Sequence, residues 1–387
     1  MATFSVLTSL LCIVILQRLT KRLFLSMVGG FFAFILLNSF LLSKIPFLVV
    51  ETFRDKSFLT LILSVIMIYF LEQLMSISKD AENLSLAVKK LFKGSSKAAA
   101  SFLASVIGLL PVPSGAMFSA PIVAKLTPET DNLTKTAMNY WFRHTLEFFW
   151  PMYPAMYLLS SLISKPLGRI SANLFPLFLI SFVSGWIKFN GFTLPKMTRI
   201  NWEDVKKLWP VFMILSIGVA IVVFKIDGWI VLLIACTLYG ILRKNHALQA
   251  FLETLKRFDI LGVLFVIFLY KHAITDFGIG EVIGKELTKL GNEAVVLSTL
   301  APLLVGMSTG ITSATVGITV PLLISLDKAE YALLTYIFAV LGVLLSPVHL
   351  CLVLTAKYFQ VDFLKVLKRI LLLVIVVAVF SIIMYAF

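Results

Sequence analysis

The sequence has little charge. Only 14% of its 387 residues are Asp, Glu, Lys or Arg, and 59% are hydrophobic. A soluble domain carries about 25% charged and about 45–50% apolar residues. With a mean hydropathy of +0.99, the composition argues against an ordinary soluble protein.

Cysteine is also scarce. Cys12, Cys236 and Cys351 lie far apart, each inside an apolar run. We interpret them as small buried hydrophobic residues and predict neither disulfides nor a metal site at them.

The charge that is present is mostly basic, with 34 Lys and Arg against 20 Asp and Glu and a net charge of +14. No zinc pattern, basic helix or aromatic–basic platform accompanies it, which argues against nucleic-acid binding. There is no phosphate-binding loop either, which argues against ATP-driven transport within this chain. Basic cytoplasmic loops of a membrane protein explain the excess better.

Long apolar runs fill most of the chain and predict about ten transmembrane helices. We place them at 2–16, 23–43, 58–77, 136–163, 171–190, 208–224, 228–242, 258–274, 329–356 and 363–387. The first run lacks a basic leader and a small-residue cleavage site, so we expect a retained helix rather than a signal peptide.

Two further apolar regions are broken in the middle. Residues 98–125 and 294–325 each contain two short helical segments around a Gly/Pro/Ser/Thr tip. Because each segment is too short for a hydrocarbon core of about 30 Å, we predict two re-entrant hairpins, bordered by protein or water.

The order of elements repeats. Each half has three helices, an amphipathic stretch (79–93 and 280–290), a hairpin, a helix interrupted by proline and a last helix. A shift of 196 residues relates Ser114 to Gly310 and Pro151 to Pro347. We predict a first repeat at 1–190, a cytoplasmic linker at 191–207 and a second repeat at 208–387.

Five spans in each half make the second repeat inverted. With residues 17–22 inside, the cytoplasmic segments hold 23 Lys and Arg, and the outer segments hold 10. This asymmetry predicts that both termini lie outside. Inverted repeats with broken helices are the construction of secondary transporters, in which freed backbone groups bind ions and substrates near the midplane.

Both predicted hairpin tips carry small and hydroxylated residues suited to hard cations or carboxylates. The candidates are Pro113, Ser114 and Gly115 in the first tip and Ser308, Thr309, Gly310, Thr312, Ser313 and Thr315 in the second. Bound Na⁺ is a candidate ligand at Ser114 and in the 309–315 region. Close packing of small residues between helices is the structural alternative.

The stretch 139–154, "NYWFRHTLEFFWPMYP", carries ionisable residues inside an apolar run. Asn139, Arg143 and Glu147 follow a spacing of four and are predicted to share one helix face, with His144 adjacent. Glu147 would lie about 16 Å along the helix, near the midplane. A charge there costs at least about 2.5–3.5 kcal/mol unless it is paired or hydrated.

Two interpretations of these charges stay open. Arg143 and Glu147 are placed to form a structural ion pair, or Arg143 contacts an anionic substrate while Glu147 or His144 carries a proton or helps to hold Na⁺. The helix breaks are assigned to Pro151, Pro154 and Pro347. The second half lacks the charges, and His349 follows its break.

These motifs, with "PVPSGAMFSAP" and "GMSTGITSATVGITVP", resemble an uncharacterised integral-membrane family of archaea and bacteria related to gluconate permeases, within the ion transporter superfamily. The resemblance implies a dimeric, elevator-type, cation-coupled carrier of organic anions in the cytoplasmic membrane. Neither tip contains the Ser-Asn-Thr signature of the Na⁺/dicarboxylate carriers, which argues against dicarboxylate specificity and Na⁺ coupling of that type.

We therefore expect a non-enzymatic secondary transporter that couples H⁺ or Na⁺ to a small organic anion such as a sugar acid, without another cofactor. A cation/proton antiporter without organic substrate is the main alternative, and a channel is another. "GMSTG" matches G-x-S-x-G with His349 downstream, but a serine hydrolase needs a strand–turn–helix context that an apolar helical hairpin does not supply.

Overall fold

The computed structural model describes residues 2–20, 22–80, 82–84, 96–109, 115–194, 202–279, 282 and 293–386. Every regular element in these ranges is a helix, which confirms the predicted all-α class. In the first half the α-helices are α1 Ala2–Thr20, α2 Leu23–Leu37, α3 Ile45–Arg54, α4 Lys56–Ile77, α5 Lys97–Gly108, α6 Gly115–Leu126, α7 Asn132–His144, α8 Pro154–Ile163 and α9 Leu167–Asn190.

The remaining α-helices are α10 Trp202–Lys206, α11 Trp209–Val222, α12 Gly228–Leu242, α13 Lys244–Leu255, α14 Phe258–Thr275, α15 Glu293–Ser298, α16 Leu300–Thr309, α17 Thr312–Ser325, α18 Ala332–Leu344, α19 Leu350–Phe359 and α20 Phe363–Tyr385. Short 3₁₀ helices occupy Ser39–Lys44, Thr145–Phe148 and Ala329–Tyr331.

Several helices have the properties of membrane spans. Among the described residues four are long and apolar enough to cross a bilayer, namely α4, α9, α14 and α20. A fifth span results if α2 is counted together with Ser39–Arg54, although the chain bends by 117° between them. The predicted run 23–43 is thus not one straight helix, and the total of ten spans stays a prediction.

The helices at the two predicted hairpins are short. They have 12 residues in α5, 12 in α6, 10 in α16 and 14 in α17. At 1.5 Å per residue each is about 15–21 Å long, which is less than the hydrocarbon thickness. Gly310 turns the chain between α16 and α17 with a left-handed φ of 67°. The first tip and most of 79–93 and 280–290 lie outside the described residues.

The hairpin helices pack crosswise on the interrupted helices. In each half the first hairpin helix lies against the first segment of that half's own interrupted helix, α5 on α7 and α16 on α18. The second hairpin helix lies against the second segment of the other half's interrupted helix, α17 on α8 and α6 on α19. The two halves therefore complete each other around the helix breaks.

Glycines permit the close approach of these pairs. A Cβ on Gly108 would lie 2.5 Å from the carbonyl oxygen of Arg143, and one on Gly342 would lie 2.4 Å from that of Leu303. Since real Cβ atoms do not approach a backbone oxygen so closely, both contacts require glycine.

We expect Gly342→Ala to lower the Tm of the detergent-purified protein, because the methyl group forces α16 and α18 apart. Gly240→Ala is the matched control, since a Cβ at Gly240 in α12 would have its nearest neighbour at 3.8 Å. Helix propensity alone favours Ala by about 1 kcal/mol, so the control variant should have an unchanged or higher Tm. Equal Tm changes in the two variants would contradict the close-packing interpretation.

Charged clusters lie at the ends of the long helices. Beyond the end of α4, Asp80 accepts hydrogen bonds from the Arg243 guanidinium at 2.7 and 2.8 Å and from the Tyr239 hydroxyl at 2.8 Å. Near the start of α4, Asp55 pairs with Lys271 at 2.7 Å. Each pair joins segments that were predicted to lie on the same side of the membrane, while the orientation itself stays a prediction.

Asp80→Asn should lower the Tm at neutral pH, because it removes the charge from a nearly buried carboxylate whose partner is Arg243. Burial disfavours ionisation, but the hydrogen bonds from Arg243, Ser78 and Tyr239 outweigh it and hold the pKa of Asp80 below its usual 3.8. This contribution to stability is present above the usual pKa and is lost as the pH falls through the lowered value.

A Tm series from pH 7 to about 3 tests this prediction. The gap between wild type and Asp80→Asn should shrink at the acidic end. Glu253→Gln, which removes the partner of exposed Lys256, should leave the Tm nearly unchanged, since exposed pairs contribute at most about 1 kcal/mol. A pH-independent gap would contradict the electrostatic explanation.

Candidate functional site

The first interrupted helix breaks earlier than predicted. Helix α7 ends at His144, the 3₁₀ turn Thr145–Phe148 follows, and α8 begins at Pro154. Glu147 therefore lies inside the break. The prediction that Asn139, Arg143 and Glu147 share one α-helical face was wrong, because the 3₁₀ turn has a tighter winding than an α-helix.

Proline explains the position of this break. Pro151 has no N–H for the carbonyl four residues earlier, and its ring clashes with that carbonyl. The carbonyl concerned belongs to Glu147, and it accepts a hydrogen bond from the Tyr336 hydroxyl at 2.7 Å instead. Pro154 occupies the first turn of α8, where a missing N–H is tolerated.

The second interrupted helix repeats this solution. Pro347 has no N–H for the carbonyl of Val343. The Tyr140 hydroxyl lies 3.4 Å from that oxygen and 3.1 Å from the carbonyl oxygen of Leu344. Tyr140 and Tyr336 are 196 residues apart, as are Glu147 and Val343. The Val343 carbonyl also accepts a hydrogen bond from the Ser346 N–H at 3.0 Å. Each half thus directs a tyrosine hydroxyl to the helix break of the other half, but only the Glu147 carbonyl depends on it.

The Glu147 carboxylate points toward the second hairpin. It accepts a hydrogen bond from the Thr312 hydroxyl at 2.5 Å, and Glu147 is only 7% exposed. Among the ion pairs given for the described residues none joins Arg143 to Glu147, and the ion pair between them stays a hypothesis. Arg143 is itself 5% exposed, which leaves two oppositely charged buried side chains at one helix break.

Two histidines meet between the interrupted helices. The Nε2 atoms of His144 and His349 lie 3.0 Å apart. The Nδ1 atoms lie 2.7 Å from the carbonyl oxygen of Tyr140 and 2.9 Å from that of Gly310, respectively. Cys351 is next to this pair, and one ligand atom from each of the three residues lies within 4.8 Å of the other two.

The position of Cys351 adds to the interpretation of the cysteines from the sequence. Cys351 is buried, as predicted, and it lies in a cluster of side chains that could hold a metal ion. The local signal was the spacing His349-Leu350-Cys351 directly after a proline break. The missing information was the approach of His144, 205 residues from His349.

Unpartnered polar groups lie deep in both interrupted helices. Among the described residues, the amide oxygen and nitrogen of Asn139 have no hydrogen-bond partner, and the hydroxyl of Thr335 has none either. Both residues are 0% exposed, and they are 196 positions apart. A buried polar atom without a partner costs about 1–3 kcal/mol, so such atoms are candidates for binding a ligand.

The second hairpin tip brings several predicted residues together. The hydroxyls of Thr309 and Thr315 lie 3.3 Å apart, and Thr312 contacts Glu147. Ser308 and Ser313 are half-buried and have no side-chain hydrogen bond among the described contacts. In the first tip, Pro113 and Ser114 lie outside the described residues, and Gly115 begins α6.

The serine-hydrolase alternative receives no geometric support. Ser308 lies in helix α16, not at a strand–turn–helix junction. Both ring nitrogens of His349 have other partners, Gly310 and His144. Within the described hydrogen bonds His349 makes none to the Ser308 hydroxyl.

A cavity of about 670 Å³ lies away from these residues, between α4, α8, α9, α11 and α12. Its lining includes Tyr157, Arg169, Lys225 and Asp227, and none of the predicted site residues. The candidate site is the packed junction of the interrupted helices, where the polar side chains described above lie.

A family comparison covers almost the whole chain. The family model described as a protein of unknown function (DUF401) matches residues 3–387. The chain belongs to the DUF401 family. No curated protein matches it. The match assigns this DUF401 chain to a family, but the family description gives no activity for the junction.

Tyr336→Phe should lower the Tm, because it leaves the buried Glu147 carbonyl without its donor at a cost of about 1–3 kcal/mol. Tyr358→Phe is the control, since Tyr358 is 49% exposed and should tolerate loss of its hydroxyl. Thermal unfolding in detergent measures both variants. If they had the same Tm, the Tyr336 hydroxyl would not stabilise the break.

Proposed function

We propose that this protein is a secondary active transporter, a cation-coupled carrier of a small organic anion. The observation that carries the proposal is the reciprocal tyrosine contact between two proline-interrupted helices, with buried ionisable residues at the same junction. Interrupted helices that meet in this way hold ionisable and polar side chains inside a membrane, where such side chains are candidates for binding a ligand.

The proposed architecture has about ten spans, two re-entrant hairpins and two inverted repeats, 1–190 and 208–387. The crosswise packing of the hairpins and the equivalence of Tyr140 and Tyr336 at a shift of 196 residues support it. The same proposal includes an elevator-type movement, a homodimer in a prokaryotic cytoplasmic membrane, outward termini and kinship with gluconate permeases. The resemblance of the motifs supports the movement, the homodimer, the membrane and the kinship, and the asymmetry of Lys and Arg between the loops supports the outward termini.

The anion is assigned to the Arg143 side of the junction. A guanidinium recognises a carboxylate with paired, charge-assisted hydrogen bonds. The neighbouring amide of Asn139, which is buried and has no partner among the described residues, can donate to a substrate oxygen and accept from a substrate hydroxyl. A hydroxy acid offers both groups, which is why we favour sugar acids over simple carboxylates.

The coupling cation is assigned to the second tip. Glu147 supplies negative charge, and Thr312 together with the paired hydroxyls of Thr309 and Thr315 supplies hard oxygen atoms. Hard cations such as Na⁺ prefer oxygen ligands, and a buried carboxylate is equally able to hold a proton. Cation and anion then occupy adjacent positions, so that each favours binding of the other.

A thermal-shift screen of the purified protein against organic acids, with and without Na⁺ and across pH, tests the proposal. We expect at least one sugar acid to raise the Tm, since a ligand at 100 times its Kd stabilises by about 2.7 kcal/mol. Arg143→Lys should weaken the binding of that sugar acid by at least about tenfold, because a hydrogen bond to a charged group contributes about 1.5–3 kcal/mol.

Arg54→Lys serves as the control, because Arg54 pairs with Glu51 and its side chain is 73% exposed. Uptake into proteoliposomes supplies the second readout, in which a cation gradient should drive accumulation of the acid against its own gradient. Loss of the cation gradient without accumulation of the acid would favour a channel. If Na⁺ or pH alone shifts the Tm and no acid does, a cation/proton antiporter replaces the proposal.

A further inference from the structure

The tautomers of His144 and His349 are set by their surroundings. Each Nδ1 atom faces a backbone carbonyl oxygen, that of Tyr140 at 2.7 Å or that of Gly310 at 2.9 Å. Because a carbonyl oxygen only accepts, each Nδ1 must carry the hydrogen. In neutral imidazoles both Nε2 atoms then present lone pairs.

These two lone pairs face each other. The Nε2 atoms are 3.0 Å apart, and in the neutral form neither imidazole has a second hydrogen atom to place between them. Two acceptors at this distance repel unless a positive species lies between them. That species is either a proton, for which the neighbouring Cys351 thiol is one source, or a metal ion.

The third side chain favours a metal ion. The Cys351 sulfur completes a group of ligand atoms within 4.8 Å of one another. The ligand atoms of a tetrahedral zinc ion lie about 3.5 Å apart, so binding of the ion requires a small inward shift of this group. Two imidazoles and a thiolate are typical ligands of Zn²⁺ and related ions, whereas Mg²⁺ and Ca²⁺ prefer oxygen. Carbonyl groups that hold the Nδ1–H of a metal-binding histidine are a usual outer shell.

We propose that His144, His349 and Cys351 form a binding site for a thiophilic transition-metal ion, with Zn²⁺ as the representative. The three ligands leave a fourth position for water or another oxygen ligand. His144 ends α7 in the first interrupted helix, while His349 and Cys351 begin α19 in the second. The ion therefore links the two interrupted helices directly.

This link has a mechanical consequence. A metal ion that is bound by residues of both interrupted helices stabilises the arrangement in which they touch. Any transport movement that separates α7 from α19 requires release of the ion. Zn²⁺ should therefore raise the Tm and inhibit the movement, even if the transported substrate differs from the one proposed above.

The first test uses the wild-type protein purified without a polyhistidine tag. Titration with Zn²⁺ should show one tight site per chain, and X-ray absorption of the zinc-loaded protein should show one sulfur and two imidazole ligands. Co²⁺ should produce a thiolate-to-metal charge-transfer absorption. A wild-type protein that binds neither metal would overturn the proposal in favour of a proton shared by the two histidines.

Variants then assign the ligands. His349→Gln should weaken Zn²⁺ binding by more than about tenfold. Removal of an outer-shell partner already lowers metal affinity by about 10–100-fold, and His349 would be a direct ligand. Cys351→Ser should abolish the charge-transfer band. His246→Gln and Cys236→Ser are matched controls, because neither residue belongs to the cluster, and both should bind metal like wild type.

Unchanged metal binding in His349→Gln, or a charge-transfer band that persists in Cys351→Ser, would refute the assignment. If a variant does not fold, the X-ray absorption of the wild-type protein still decides, since a coordination shell without sulfur excludes Cys351. Failure of the organic-anion proposal leaves these readouts unaffected, because they measure metal binding alone.

Discussion

Two missing backbone N–H groups determine the centre of this protein. Pro151 and Pro347 each leave a carbonyl oxygen without its helical partner, in a region where no lipid can replace it. The Glu147 carbonyl accepts a hydrogen bond from Tyr336 of the opposite half, whereas the Val343 carbonyl accepts one from the nearby Ser346 N–H and is approached by Tyr140 of the opposite half. The hairpin helices pack in the same reciprocal way, because the second hairpin helix of each half contacts the interrupted helix of the other half. The candidate ligand groups lie near these helix breaks.

Some residues of the junction recur in the other half at a shift of 196 residues, and others do not. The prolines, the tyrosines and the buried polar residues Asn139 and Thr335 occur in both halves. Arg143 and Glu147 correspond to Ala339 and Val343, so the charges belong to one half only. The two halves of the junction therefore share their prolines and tyrosines and differ in their charged side chains.

Much of this arrangement follows from local sequence, and its central contacts do not. Apolar runs locate most helices to within a few residues, and small residues beside proline locate the hairpins. The prediction that Glu147 lies on an α-helical face was wrong, because Pro151 cannot bond the carbonyl four residues earlier. The α-helix therefore ends at His144, before Glu147. Cys351 could not be assigned, since its neighbour His144 is distant in sequence and meets it only when the two halves pack.

The exchange of tyrosines also bears on how the chain is made. Tyr336 follows Glu147 by 189 residues, so the ribosome delivers the first break long before its hydrogen-bond donor exists. Until then the Glu147 carbonyl must be hydrated or held by the insertion machinery. The first half is consequently an unfinished structure on its own, and biogenesis has to keep its interrupted helix near water until the second half arrives.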